Sequence, residues 1–113
     1  MKYYNFLIKL RDTYILGRGH YLEDDSSLAI VRSAPDKPLE FTGEWSIIDV
    51  ATGYFLFKDK SKKKLLEKWS EKKDNQDFIQ ALAKARRTDS YIKVLAECSG
   101  EKASWRDSGY EIE

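Results

Sequence analysis

The stretch from Trp45 to Trp69 constrains the fold more than any other part of this chain. Trp45-Ser-Ile-Ile-Asp-Val50 and Tyr54-Phe-Leu-Phe57 are short apolar runs, rich in the β-branched and aromatic residues that pack well on a pleated surface. Ala51-Thr52-Gly53 joins them, and Gly53 supplies the positive φ that a tight reversal asks for. The pattern predicts a β-hairpin over 45–50 and 54–58. Ser61-Lys-Lys-Lys-Leu-Leu-Glu-Lys-Trp69 follows at once. Ser61 is a good N-cap, and Leu65, Leu66 and Trp69 recur at helical spacing, which predicts a helix over 61–73 lying on the hairpin through its leucines and indole ring.

The remaining elements are read from periodicity. Tyr4, Phe6, Ile8 and Leu10 fall on one side at period two, with Asn5 and Lys9 opposite, and predict a half-buried strand. Thr13-Tyr-Ile-Leu16 is a second short strand or a continuation of the first, Gly17-Arg-Gly-His20 and Glu23-Asp-Asp-Ser-Ser27 read as loop or turn chemistry, and Leu28-Ala-Ile-Val-Arg32 is a third strand. Phe78, Ile79, Leu82 and Ala83 form another helical stripe. At ~100° per residue this stripe lies about 140° around from Leu66, so one straight helix would aim the two at different walls. Asp74 and Asn75 are natural caps between them, and two helices over 61–73 and 75–87 are predicted. Ile92, Val94, Ala96 and Cys98 alternate and predict a closing strand over 91–98, although Ile92, Leu95 and Ala96 would also suit a short helix. The fold class is α+β: a small antiparallel sheet, two helices and a final strand, in one domain over 1–98, with a polar, partly docked tail over 99–113.

Charge is unevenly spread. The net charge is −2 over residues 1–57, +6 over 58–93 and −3 over 94–113. A basic element is therefore set between two mildly acidic ones. The single cysteine excludes an internal disulfide, and no apolar run approaches the ~20 residues that cross a bilayer as a helix. Lys9 and Arg11 interrupt Phe6-Leu7-Ile8 before a signal-peptide core can form. These features predict a cytoplasmic protein that makes no use of a membrane.

The residues Trp45, Thr52-Gly53 and Lys60-Ser61-Lys62-Lys63 resemble a pattern of small bacteriophage and prophage accessory proteins: a tryptophan-led strand, a Thr-Gly or Ser-Gly turn, a second strand and a Lys-rich helix start. The resemblance covers about a quarter of the chain. Trp69 and the twin Leu65-Leu66 depart from the smaller residues expected in that helix. It implies a mobile-element context, in which such proteins include inhibitors of host defence, anti-CRISPR proteins among them, that act by binding a protein surface.

Catalysis is tested by subtraction. One histidine, His20, makes an HExxH zinc site impossible, and any triad must use that ring. Cys98 lies in an apolar stripe, where a thiol is usually structural. Gly17 and Gly19 lack the third glycine of a dinucleotide-binding turn, and no phosphate-binding GK[ST] occurs. Glu23-Asp24-Asp25 lacks the ligand spacing of a calcium loop and reads as a polar turn. The expectation is a protein that is not an enzyme and has neither metal nor cofactor.

The basic stretch is the interaction candidate. Lys60, Lys62, Lys63, Lys64, Lys68 and Lys72 gather on or beside the first helix, and Lys64, Lys68 and Lys72 fall on one face at i, i+4, i+8. The bland reading is a solvated face with Glu67 and Glu71 pairing to lysines. The sharper one is contact with an acidic protein surface or with phosphates. Arg86 and Arg87 read as the solvated last turn of the second helix, and Trp105 and Tyr110 as aromatic anchors in the tail. Another protein is the expected partner. Nucleic acid is the alternative, disfavoured by the lysine bias, because base reading favours arginine; self-association is a third reading.

Overall fold

The computed structural model describes residues 4–9, 14–33 and 44–98. Five strands, β1 (Tyr4–Lys9), β2 (Tyr14–Tyr21), β3 (Leu28–Ser33), β4 (Trp45–Asp49) and β5 (Phe55–Asp59), pair antiparallel in chain order into one curled sheet. Three helices follow: α1 (Lys62–Lys72), α2 (Gln76–Ala85) and α3 (Asp89–Cys98). The α+β class read from the sequence is the class observed. Among the described residues, no helix is long and apolar enough to cross a membrane.

The predicted hairpin is β4–β5, with Trp45 opposite Asp59 and a register shift between Ile47 and Ile48. Gly53 sits at φ +81° and its N–H donates to the Asp49 carbonyl at 2.7 Å. The turn also closes the curl, because Lys9 N–H on β1 donates to the Gly53 carbonyl at 2.8 Å. A Cβ on Gly53 would lie 2.5 Å from the Leu7 carbonyl oxygen, so glycine is required here by both dihedral and space.

Alternating residues of the sheet feed two apolar clusters. Phe6, Ile8, Ala29, Val31 and Ile48 pack on one side, with Tyr4 and Ile15 beside them. Leu22, Leu28, Ile30 and Ile47 pack on the other, where Leu65 and Trp69 of α1 join them, and Trp45 and Phe78 pack against the edge. The contact expected between the hairpin and α1 is therefore present. Ser61 Oγ accepts from Lys64 N–H at 3.4 Å, and Asn75 Oδ1 accepts from Phe78 N–H at 3.1 Å, so both capping expectations hold.

Two expectations are corrected. Gly17-Arg-Gly-His20 is not a loop but part of β2, with Gly19 opposite Val31 and Tyr4. A side chain at Gly19 would run into the Ile30 carbonyl, so the glycine serves close strand approach rather than a turn. His20, read with that loop as a turn residue, is accordingly buried in the sheet. Residues 91–98 form a helix, α3, and not a closing strand. Thr88 Oγ1 accepts from Tyr91 N–H at 3.2 Å and Asp89 occupies the first turn, so a helix start precedes the segment. Among the side chains of α3 whose burial is described, Tyr91 and Val94 turn inward, at helical rather than alternating spacing.

Candidate functional site

The lysine group predicted from the sequence is only partly open to a partner. Lys68 pairs with Asp59 on β5 at 3.0 Å, and Lys62 lies 5.0 Å from the centre of the Trp45 ring, which Arg32 also approaches, at 5.4 Å. The Ser61 N–H and then Lys68 hold the Asp59 carboxyl below the usual range. Lys73 pairs with Asp24 at 3.0 Å, which raises its pKa. Lys60, Lys63, Lys64 and Lys72 remain exposed. Lys62, Lys63 and Lys64 occupy the first turn of α1 with no acidic residue among them. Cations there oppose the helix dipole, so stability alone does not favour that choice.

Arg86 is not the solvated residue read from the sequence. It caps the C-terminal end of α2, and its Nη2 donates to Asp49 Oδ1 at 2.7 Å and to Ser27 Oγ at 3.2 Å. Arg87 is the exposed member of the pair; its Nε donates to the Ala83 carbonyl. Trp105 and Tyr110 lie outside the described residues.

Asp49 is the centre of this second region. Only 2% of it is exposed, and a carboxylate so buried must be paired. Besides Arg86, it accepts from Thr52 Oγ1 at 2.7 Å and from Tyr91 Oη at 3.0 Å. One carboxylate thus ties the end of β4, its turn, the end of α2 and the start of α3. Burial, and then the neighbouring Asp49 charge, push the Tyr91 hydroxyl up to about 12. The phenol stays protonated and remains a donor.

Above this network a cleft of 280 Å³ opens between β5, α2 and α3. Tyr54, Phe55, Leu56, Leu82 and Tyr91 give it a mostly apolar wall. The Tyr54 and Tyr91 rings stack at 6.3 Å and 27°. Arg86 lines the cleft, and its Nε, buried, has no hydrogen-bond partner among the described residues. The bordering elements also leave large apolar side chains uncovered: Phe55 on β5, Ile79 on α2, and Ile92 and Leu95 on α3.

Other chemistry is sparse. His20 Nδ1 lies 2.9 Å from the Tyr21 carbonyl, which can only accept, so Nδ1 carries the proton; burial holds the ring's pKa below its ordinary value. His20 lines neither of the two clefts described. The second cleft, lined by Asp24, Asp25, Trp69, Lys73 and Asp74, is polar. Asp25 Oδ1 there accepts from Ser27 N–H and Oγ, in keeping with turn chemistry. Among the described residues, no group of three or more His, Cys, Asp or Glu is placed to hold a metal ion.

Asp49, Thr52, Tyr54 and Tyr91 form the candidate site together with Arg86; from the sequence Thr52 reads only as a turn residue, and none of these four as an interaction residue. One signal was present: Asp49 breaks the apolar run of Trp45–Val50, and an acid inside a strand that reads as core demands a distant cation. Comparison of the chain with protein-family models, curated proteins and solved structures returned no match.

Proposed function

We propose that this protein is a non-enzymatic binding module that engages another protein through the face formed by β5, α2 and α3. The observation that carries this reading is the uncovered Phe55, Ile79, Ile92 and Leu95 on the three elements around an apolar cleft. Apolar side chains left in water on neighbouring elements mark association surfaces when polar residues rim them. Lys84 on α2, Arg87 in the turn that follows, and Asp89 and Lys93 on α3 are exposed and supply such polar groups. The mobile-element context implied by the Trp45–Lys63 resemblance, including inhibition of a host defence system, belongs to this proposal and adds the class of partner: a host protein met in the cytoplasm.

The test compares two variants for capture of a host protein from nuclease-treated lysate. In one, Ile79, Ile92 and Leu95 are changed to Ser; in the other, Lys63, Lys64 and Lys72 are changed to Glu. The reading requires that the first lose capture and the second retain it, with affinity changing little between low and moderate salt.

A second reading is supported by the charge at the start of α1. Lys60, Lys63, Lys64 and Lys72 are exposed, and the first turn lacks any acid to offset them. A phosphate backbone would suit that arrangement. Binding of single- or double-stranded DNA that weakens by orders of magnitude with moderate salt, and disappears in the lysine variant alone, would favour it over the first.

A further inference from the structure

We propose that the end of the sheet beside the start of α1 binds a single strand of nucleic acid, along a row of cations with Trp45 at its centre. The inference rests on the second reading above and names its ligand and its residues. None of them belongs to the face formed by β5, α2 and α3. The strand register builds the row. Arg18 on β2 stands directly opposite Arg32 on β3, Arg32 opposite Trp45 on β4, and Trp45 opposite Asp59 on β5. Residues directly opposite share one face of a sheet. On the same face, the next row is His20, Ile30, Ile47 and Phe57, and Leu65 and Trp69 of α1 pack against its isoleucines. The Trp45 row therefore lies where that helix begins. Lys62 and Arg32 both approach the indole, at 5.0 and 5.4 Å from its centre, and Lys60, Lys63 and Lys64 are exposed close by in the chain.

Two placements gather positive charge here against the fold's own interest. Guanidinium groups directly opposite on neighbouring strands repel one another, and cations in the first turn of a helix oppose its dipole. The field reaches the titratable groups beside the row. The Asp59 carboxyl is lowered by the Ser61 N–H, then by Lys68, with Lys64 adding to the effect. Lys62 adds to the burial that lowers the His20 ring. Cations set in a line on two elements, about 4.8 Å apart from strand to strand, suit a chain of negative charges better than one ion. The half-buried indole then separates the polyanions. Unpaired bases stack on aromatic rings and on guanidinium planes. A duplex keeps its bases stacked on one another, and an acidic peptide has none.

The experiment measures fluorescence anisotropy of a labelled oligothymidylate, a duplex of equal length and a polyglutamate of equal charge with the full chain at several salt concentrations. Oligothymidylate should bind at least about tenfold more tightly than the other two, the value of one stacked base. Trp45→Leu should weaken it about tenfold with the salt dependence unchanged. Arg32→Gln should reduce the slope of log affinity against log salt by about 0.7, whereas Arg32→Lys, which keeps the charge, should preserve the slope. Equal binding of duplex or polyglutamate by the unaltered protein overturns the proposal, and that result stands even if a variant fails to fold. So does oligothymidylate binding that Trp45→Leu and Arg32→Gln leave unchanged. If both nucleic acids bind equally and only the Lys63, Lys64 and Lys72 variant loses them, the second reading survives and this proposal falls. Absence of any nucleic-acid binding removes both.

Discussion

Leu65 and Trp69 sink α1 into the sheet beside Leu28, Ile30 and Ile47, whereas α2 contributes no fully buried side chain. Phe78 packs at the edge of the α1 core and Val94 is the one buried apolar side chain described on α3; beyond these, α2 and α3 are tied to the sheet by Arg86 and Tyr91, both bonded to Asp49. One helix is thus held by dispersed apolar burial and two largely by a directional polar knot. Apolar burial scales with area and tolerates adjustment. Hydrogen bonds to a buried carboxylate specify position, and they fail abruptly when one partner is lost. The contrast explains how the protein keeps Ile79, Ile92 and Leu95 uncovered: the helices that carry them are positioned without using all of their apolar surface. Where a fold secures an element by polar contacts, its hydrophobic residues remain available to something else.

Four measurements break or sharpen this contrast. The largest effect is expected in the α1 region. Ile47→Ala removes a fully buried side chain and should cost about 3–4 kcal/mol of unfolding free energy in urea, with one cooperative transition. Asp49→Asn should cost less, about 2–3 kcal/mol, because the Arg86 side chain is 31% exposed and its orphaned charge reaches water. Its signature is local: amide exchange should quicken in α2 and α3 while β3, β4 and α1 stay protected. Uniform loss of protection would show that the two regions are one unit.

Tyr91→Phe should cost about 1 kcal/mol near neutral pH, and it carries a pH test. The folded-state pKa is pushed up to about 12 against an ordinary 10, so the tyrosine's contribution is complete below pH 10 and is lost as pH rises towards 12. The melting temperature should fall through that window, and Tyr91→Phe should flatten the fall. The smallest effect belongs to the open face. Ile92 is 54% exposed, and Ile92→Ser should change stability by no more than about 0.5 kcal/mol. A larger loss would mean that Ile92 is part of the fold's own core and not a surface held for a partner.

The hairpin, the caps at Ser61 and Asn75 and the inward face of α1 were legible because each is fixed by residues within a turn or two of one another. β2 was not, since Gly17 and Gly19 carry the same letters whether they open a loop or let Ile30 and Val31 approach, and only the neighbouring strand decides. α3 came second to a strand because Ile92, Val94, Ala96 and Cys98 satisfy a strand period, while the Thr88-Asp89 start that decides for the helical alternative of Ile92, Leu95 and Ala96 lies just ahead of them. The site was the least legible. Its parts at Asp49, Arg86 and Tyr91 are joined only by folding, and Arg86, read from its position at a helix end, points to solvent in the sequence and to a buried acid in the structure.

Each strand of this sheet pairs with its chain neighbour, so the meander can zip hairpin by hairpin with little loop-closure penalty at any step. The Lys9–Gly53 bond is different in kind: it joins the first strand to the last turn and has no partner geometry until all the strands between are aligned. It is the natural final stitch in assembly. A side chain at Gly53 would strain the β4–β5 turn and slow this last stage of folding, while leaving the β1–β2 and β2–β3 hairpins free to form.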